Sequence, residues 1–221
     1  MPKLATYLTF LPLLLTMGWF ALRWSCWRGP WRAFRWWLVF ETVSQLLATG
    51  LALAKVNNLP LLYAYTPVGM VLLAWFYQAQ FRDFLPPRVL GIGMVLFLAY
   101  CGYDIWQKDT LFQFNSEVST LQSILVVMLS LAAYLLSLEK AAQQATKPTE
   151  TGLNWINSGL FLYHASNLIL FYFGELLMND AFPDADARAT WLLHFVFSAV
   201  MYLCFFIGTW KQLKPPNLPK P

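Results

Sequence analysis

Seven apolar stretches follow one another along the chain, each closed by a short polar break. They fall at about 4–23, 35–56, 60–81, 88–106, 117–139, 153–178 and 189–211. A helix of roughly 20 apolar residues covers a hydrocarbon core about 30 Å thick. Each stretch is therefore read as a membrane-crossing helix. Pro30, Pro60, Pro86, Pro87, Pro148 and Pro183 stand at the breaks, as residues that end helices should. Pro12 and Pro67 lie inside helices 1 and 3 and predict kinks. Gly91 and Gly93 in helix 4 predict a close approach by a neighbour. The fold class that follows is all-α: a polytopic membrane protein built as a single seven-helix bundle over residues 1–212. A disordered cytoplasmic tail is expected over 213–221, where Pro and Lys dominate.

Composition agrees with lipid as the solvent. Of the 221 residues, 58% are hydrophobic and 12% charged, about half the charge of a soluble domain. With so little chain outside the spans, no soluble domain is expected at either end. The stretch after Lys3 has the length of a signal peptide but no small-x-small site before Arg23, so it is read as helix 1.

Charge sets the orientation. The breaks 1–2, 3–4 and 5–6 with the C-terminus hold 11 of the 15 Lys and Arg; the N-terminus and breaks 2–3, 4–5 and 6–7 hold 4. Positive loops stay in the cytoplasm. The N-terminus is expected outside and the C-terminus inside. The net charge of +4 then reflects topology, not nucleic-acid binding, and the Arg-rich loops favour anionic lipid headgroups. Trp24, Trp27, Trp31, Trp36 and Trp37 crowd the first break, and Trp106, Trp155, Trp191 and Trp210 stand near other helix ends. These read as a headgroup-level belt. Cys26, Cys101 and Cys204 have neither metal-site nor disulfide-framework spacing. Cys101 and Cys204 read as packing residues.

Ionisable and strongly polar groups at membrane depth are costly, so each is a candidate site. On helix 2, Glu41, Ser44, Gln45, Ala48, Ala52 and Lys55 share one arc, which should face the bundle. Glu41 is placed about 8 Å inside the cytoplasmic end by helix rise. It either pairs with Arg35 or a neighbouring helix, or it handles a proton or ligand. Helix 6 carries Asn154, Asn157, Ser158, His164, Ser166, Asn167 and Glu175. Asn157, His164 and Glu175 fall on one line, which serves as interhelical glue or as the wall of a wet cavity. Helix 7 adds His194, Ser198 and Tyr202. Towards the outside, Tyr63, Tyr65, Thr66, Asp104, Gln122, Glu175 and His194 reach similar depth and could line one pocket. Asp104, Glu117 and Glu175 could equally cap helix ends in water.

His194 is placed about 8 Å below the outer surface and His164 about 12 Å deeper by helix rise. That spacing argues against a haem held by both histidines, and two histidines fall short of a zinc site. No cofactor is assigned. Phosphate loops, HExxH and GxSxG are absent. Helix 7 has no mid-span Lys for a retinal Schiff base, and the Asp-Arg-Tyr and Asn-Pro-x-x-Tyr segments of G-protein-coupled receptors are missing.

Two segments, NSEVSTLQSILVVMLSLAAYLLSLEK (Asn115 to Lys140) and WINSGLFLYHASNLILFYF (Trp155 to Phe173), with WLLHFVFSAVMY opening helix 7, carry a resemblance. Together they resemble an uncharacterised family of small bacterial seven-helix membrane proteins that occur alongside signalling kinases and regulators. The chain departs from those segments at Ser166, where Gly is common before the Asn, and at His164. The resemblance implies a bacterial cytoplasmic-membrane location and a sensing role.

The leading expectation is a sensor or receptor-like module. It would bind a small molecule, lipid or proton in the outer half and signal to a cytoplasmic or membrane partner. Candidate residues are Tyr63, Tyr65, Asp104, Gln122, Asn157, His164, Asn167, Glu175, His194 and Glu41. The alternatives are a proton or small-solute transporter, a lipid-modifying enzyme using the two histidines as acid–base groups, and a structural subunit.

Overall fold

The computed structural model describes the backbone of residues 2–22, 27–108, 111, 115–142, 148–178 and 184–212, and the side chains of 10–22, 27–108, 111, 115–139, 142, 151–170 and 192–212. Among the described residues all the regular structure is helical. In chain order the elements are α1 (Pro2–Leu22), α2 (Pro30–Leu53), α3 (Leu59–Gln80), α4 (Pro87–Gln107), α5 (Ser116–Ala142), α6 (Pro148–Met178) and α7 (Asp184–Gln212). Among the described residues, five helical segments are long and apolar enough to cross a membrane: Pro30–Leu53, Leu59–Gln80, Pro87–Gln107, Ser116–Glu139 and Leu192–Gln212. The expected tail at 213–221 lies outside the described residues.

Local chemistry explains the helix ends. α2, α3 and α4 each carry Pro at the first or second position, where its missing N–H costs nothing and its fixed φ suits the helix. α2 closes on a left-handed residue, Lys55, with φ 58°. The Val56 N–H bonds the Leu51 carbonyl at 2.9 Å and the Lys55 N–H bonds Ala52 at 3.1 Å, which is the Schellman arrangement. Lys55 therefore lies beyond the helix and is exposed, not on the inward arc of α2. Ser44 and Glu41 on that arc are buried. Helices α1 and α3 run continuously through Pro12 and Pro67.

The helices close into a ring. α1 packs on α7, α7 on α6, α6 on α5, α5 on α3, α3 on α2, and α2 on α1. α4 sits outside the ring against α3 and α5. The tightest seam joins α6 to α7. A Cβ on Gly152 would stand 2.8 Å from the Gly208 carbonyl oxygen, one on Gly208 would stand 2.7 Å from that of Gly152, and one on Gly159 would stand 2.9 Å from that of Met201. Backbones this close leave no room for a side chain. Gly91 and Gly93, expected to admit a neighbour, instead have open space around them. α4 buries only Phe97, Cys101 and Asp104; Gly91 lies on the opposite face, while Gly93, one turn before Phe97 on the same stripe, still meets no neighbour within 4 Å.

At the end where α1 finishes and α2 begins, the chain turns through Gly29, whose φ is 56°. Trp27, Trp31 and Trp37 of this break turn inward. Centroid to centroid, the Trp27 ring lies tilted against Phe20 at 4.1 Å and Trp31 at 5.2 Å, and Phe34 lies 5.7 Å from Trp37, 5.5 Å from Phe76 and 5.0 Å from Phe205. Trp27, Trp31 and Trp37 are thus core residues, which corrects their reading as belt residues. Trp36, Trp106 and Trp210 are exposed, Trp106 at 78%. Trp24 and the Trp191 side chain lie outside the described residues. Cys101 and Cys204 are buried free thiols.

A buried carboxyl among tyrosines

Glu41 lies at the middle of α2. α2 starts at Pro30, five residues before the expected edge, so Glu41 is about 16 Å from the helix start by helix rise. That is twice the expected depth. Its side chain is 1% exposed. Three donors hold it. The Tyr202 hydroxyl donates to Oε1 at 2.5 Å, the Gln45 amide donates to the same oxygen at 3.1 Å, and the Tyr65 hydroxyl donates to Oε2 at 2.5 Å. Among the described residues no cationic side chain lies within ion-pairing distance of Glu41. A carboxyl buried in this way depends on hydroxyl and amide donors for the solvation that water would otherwise supply.

The helices set this geometry. Residues 41 and 45 are one turn apart and share a face. Tyr65 comes from α3, the antiparallel neighbour of α2, with its ring stacked on Phe40 at 5.7 Å. Tyr202 comes from α7, which lies beyond α1 from α2 in the ring. Its length lets one side chain span an interior that the two backbones do not close. The result joins α2, α3 and α7 at one point.

Beside this centre, the Tyr163 hydroxyl of α6 stands against Asn167 and Ser198. Asn167 Oδ1 meets His194 Nδ1 at 3.0 Å. The Asn167 Nδ2 is buried with no aligned hydrogen bond. The Tyr163 ring is 5.1 Å from His164 and 5.6 Å from His194, centroid to centroid. Both imidazoles therefore flank one phenol. Packing on one ring brings them closer in depth than expected.

A second polar layer ties α5 to α6. Ser123 Oγ meets His164 Nδ1 at 3.2 Å. Tyr77 of α3 bonds Ser130 Oγ at 2.7 Å and donates to Asn157 Oδ1 at 3.0 Å, while Asn157 Nδ2 donates to the Ser130 carbonyl at 2.9 Å. Further along, Asn154 donates to Ser137 at 2.8 Å, and Tyr134 to Ser158 at 2.6 Å. Asn157 and His164 of the expected polar line thus both face α5. The Glu175 side chain lies outside the described residues.

The remaining candidates sit apart, where α3 begins and α4 ends. Asp104 pairs with Lys108 at 3.1 Å. The Lys108 ammonium lies 5.3 Å from the centre of the Tyr63 ring. Gln122 Nε2 reaches the Thr66 carbonyl at 3.4 Å. The candidates expected to line one outer pocket are therefore divided: Tyr65 belongs to the Glu41 centre, His194 to the Asn167 pair, and Tyr63, Asp104 and Gln122 to the α3–α4–α5 corner. Tyr77, Ser130, Ser123, Tyr163 and Asn115 were missed as site residues. One signal was present, since Ser116, Ser123, Ser130 and Ser137 recur every seventh residue along α5, a period that keeps them on one seam.

Among the described residues no group of three or more His, Cys, Asp or Glu side chains could hold a metal ion. Comparison of the chain with protein-family models, with curated proteins and with solved structures finds no match.

Proposed function

We propose that the protein is a seven-span membrane sensor, with its N-terminus outside and its C-terminus in the cytoplasm, and that Glu41 and its tyrosine donors form the element it switches. The Glu41 centre is the observation that carries this reading. One carboxyl group accepts hydrogen bonds from α2, α3 and α7 at once. A proton or ligand that changes the charge on Glu41 must rearrange donors on three helices, because buried donors cannot be left unpaired cheaply.

The split of 11 to 4 in Lys and Arg between alternate breaks supports the orientation. The resemblance of the α5 and α6 segments to membrane proteins found beside signalling kinases supports a bacterial cytoplasmic-membrane location and a partner that carries the output. α7 ends on the cytoplasmic side in this arrangement, so a shift at Tyr202 reaches the face where a partner would dock.

The test is a distance measurement. Spin labels at Arg32→Cys and Trp210→Cys report the cytoplasmic ends of α2 and α7. Acidifying the medium should shift the distance distribution in wild-type protein and leave it fixed in Glu41→Gln. If wild type and Glu41→Gln respond alike, Glu41 is not the switched element. A second reading, transport, uses the same residues as a path through the bundle. Its observation is the run of hydroxyl and amide groups down α6. Those groups are engaged with α5, which favours a scaffold. Glu41-dependent proton flux into liposomes would reassign the protein as a carrier.

A further inference from the structure

The corner where α3, α4 and α5 meet is built like a receptor for an ammonium group, and the chain fills it with its own lysine. Lys108 follows the last turn of α4, and its ammonium has three kinds of partner. The Asp104 carboxylate lies at 3.1 Å, the Asn115 side-chain carbonyl accepts at 3.4 Å, and the Tyr63 ring centre is 5.3 Å away. Counter-ion, neutral acceptor and aromatic face are the elements that recognise an organic cation. Asp104 is 5% exposed, and Tyr63 and Asn115 are also buried.

The corner has more hydrogen-bonding capacity than Lys108 uses. Asp104 Oδ2 faces the ammonium but has no aligned hydrogen bond. Thr66 Oγ1 and Ser119 Oγ are buried with no partner at all. Both hydroxyls lie on the facing surfaces. Thr66 is three residues beyond Tyr63 on α3, and Ser119 is four beyond Asn115 on α5, one turn in each case. They fall between two cross-links joining these faces, the Lys108 contacts and the Gln122 bond to the Thr66 carbonyl. Buried hydroxyls without partners cost about 1–3 kcal/mol each, so a polar group reaching these two would be favoured.

We propose that this corner binds a small primary ammonium compound bearing a second polar group, and that Lys108 is a tethered occupant which the ligand displaces. The ligand's ammonium would take the place of Lys108 on Asp104, Asn115 and Tyr63. Its polar group would reach Thr66 and Ser119. Displacing Lys108 breaks the cross-link from the end of α4 to Tyr63 of α3 and to Asn115 before α5. In the orientation proposed above this site faces outside. Its chemistry is independent of Glu41, and a failure here leaves the Glu41 reading standing.

The first test uses the unmodified protein in detergent. Lys108 and the exposed Lys55 are acetylated together under limiting reagent, and the ratio of the two is read by mass spectrometry. Ethanolammonium should raise the Lys108-to-Lys55 ratio, and sodium at matched ionic strength should not. A ratio that stays flat, or that sodium raises equally, overturns the proposal. The second test removes the tether. Lys108→Met should bind ethanolammonium about tenfold more tightly than wild type by calorimetry, because a competing state has been deleted. Adding Asp104→Asn should abolish that gain. Equal binding by wild type and Lys108→Met, or a gain that survives Asp104→Asn, overturns it as well.

Discussion

Glu41 shows how one residue's chemistry constrains its neighbours. A buried carboxyl needs donors, and the Tyr65 and Tyr202 hydroxyls provide two of them from separate helices. Leaving a buried polar group without its hydrogen bond costs about 1–3 kcal/mol. Tyr202→Phe should therefore lower stability by about 2 kcal/mol in that range. Denaturant unfolding in detergent checks this, and an unchanged midpoint would show that the bond contributes nothing. Tyr65→Phe in the same background should cost less or more than it does alone, since the two donors share one acceptor group. Lys55 makes the opposite case. It holds a left-handed conformation that costs an L-residue about 1–2 kcal/mol. Lys55→Gly should raise stability by up to about 1 kcal/mol, after the greater freedom of Gly in the unfolded chain is subtracted. Glu41 was legible in the sequence because a carboxyl inside an apolar run is conspicuous. Gln45 was legible too, on the same arc, but the pairing with Tyr65 and Tyr202 was not, because those residues are remote in sequence and phenols also suit the membrane surface.

Elements meet here through two kinds of seam. α6 and α7 approach through glycines, and α5 and α6 through a ladder of hydroxyl and amide groups. At Gly159 a Cβ would meet the Met201 carbonyl oxygen and the Cys204 Cβ at 2.9 and 3.0 Å. Gly159→Leu should separate α6 from α7 and cost about 3 kcal/mol or more, at the upper end of overpacking. Gly91→Ala on the open side of α4 should instead be neutral or stabilising by about 0.5–1 kcal/mol, the helix-interior gain. Comparing the two variants' unfolding midpoints tests which glycines are structural. Asn157→Leu removes bonds to Tyr77 and Ser130. Its cost should stay near 1 kcal/mol, as for other polar contacts between membrane helices. The serine period along α5 was present in the sequence and pointed to this seam. The glycine seam was harder to see. Gly91 and Gly93 resemble Gly152 and Gly159 in sequence, and only packing tells an open glycine from one beneath a carbonyl.

At the scale of the whole molecule, the ring leaves α4 peripheral and closes α1 against α7. Apolar residues such as Ile92, Val95 and Leu96 remain exposed on α4, a surface that lipid can cover. Orientation is open to direct measurement. With Cys26, Cys101 and Cys204 replaced, Asn57→Cys should react with an impermeant thiol reagent added to intact cells, and Asp83→Cys should react only after lysis. The reverse pattern would invert the proposed topology. Both sites lie on short exposed breaks, so their accessibility follows the side of the membrane they occupy.

Helix number, position and approximate ends were determined by the sequence alone. A helix satisfies its own backbone, and the length of an apolar run and the Pro residues at its edges act locally. The partnership of Glu41 with Tyr65 and Tyr202, the inward turn of Trp27 and Trp31, and the separation of Asp104 from the other candidates were decided only in three dimensions. Each depends on which helices become neighbours and how each is rotated about its axis. Those choices rest on side-chain packing between segments remote in sequence, where a shift of one residue moves a side chain by about 100° around the helix.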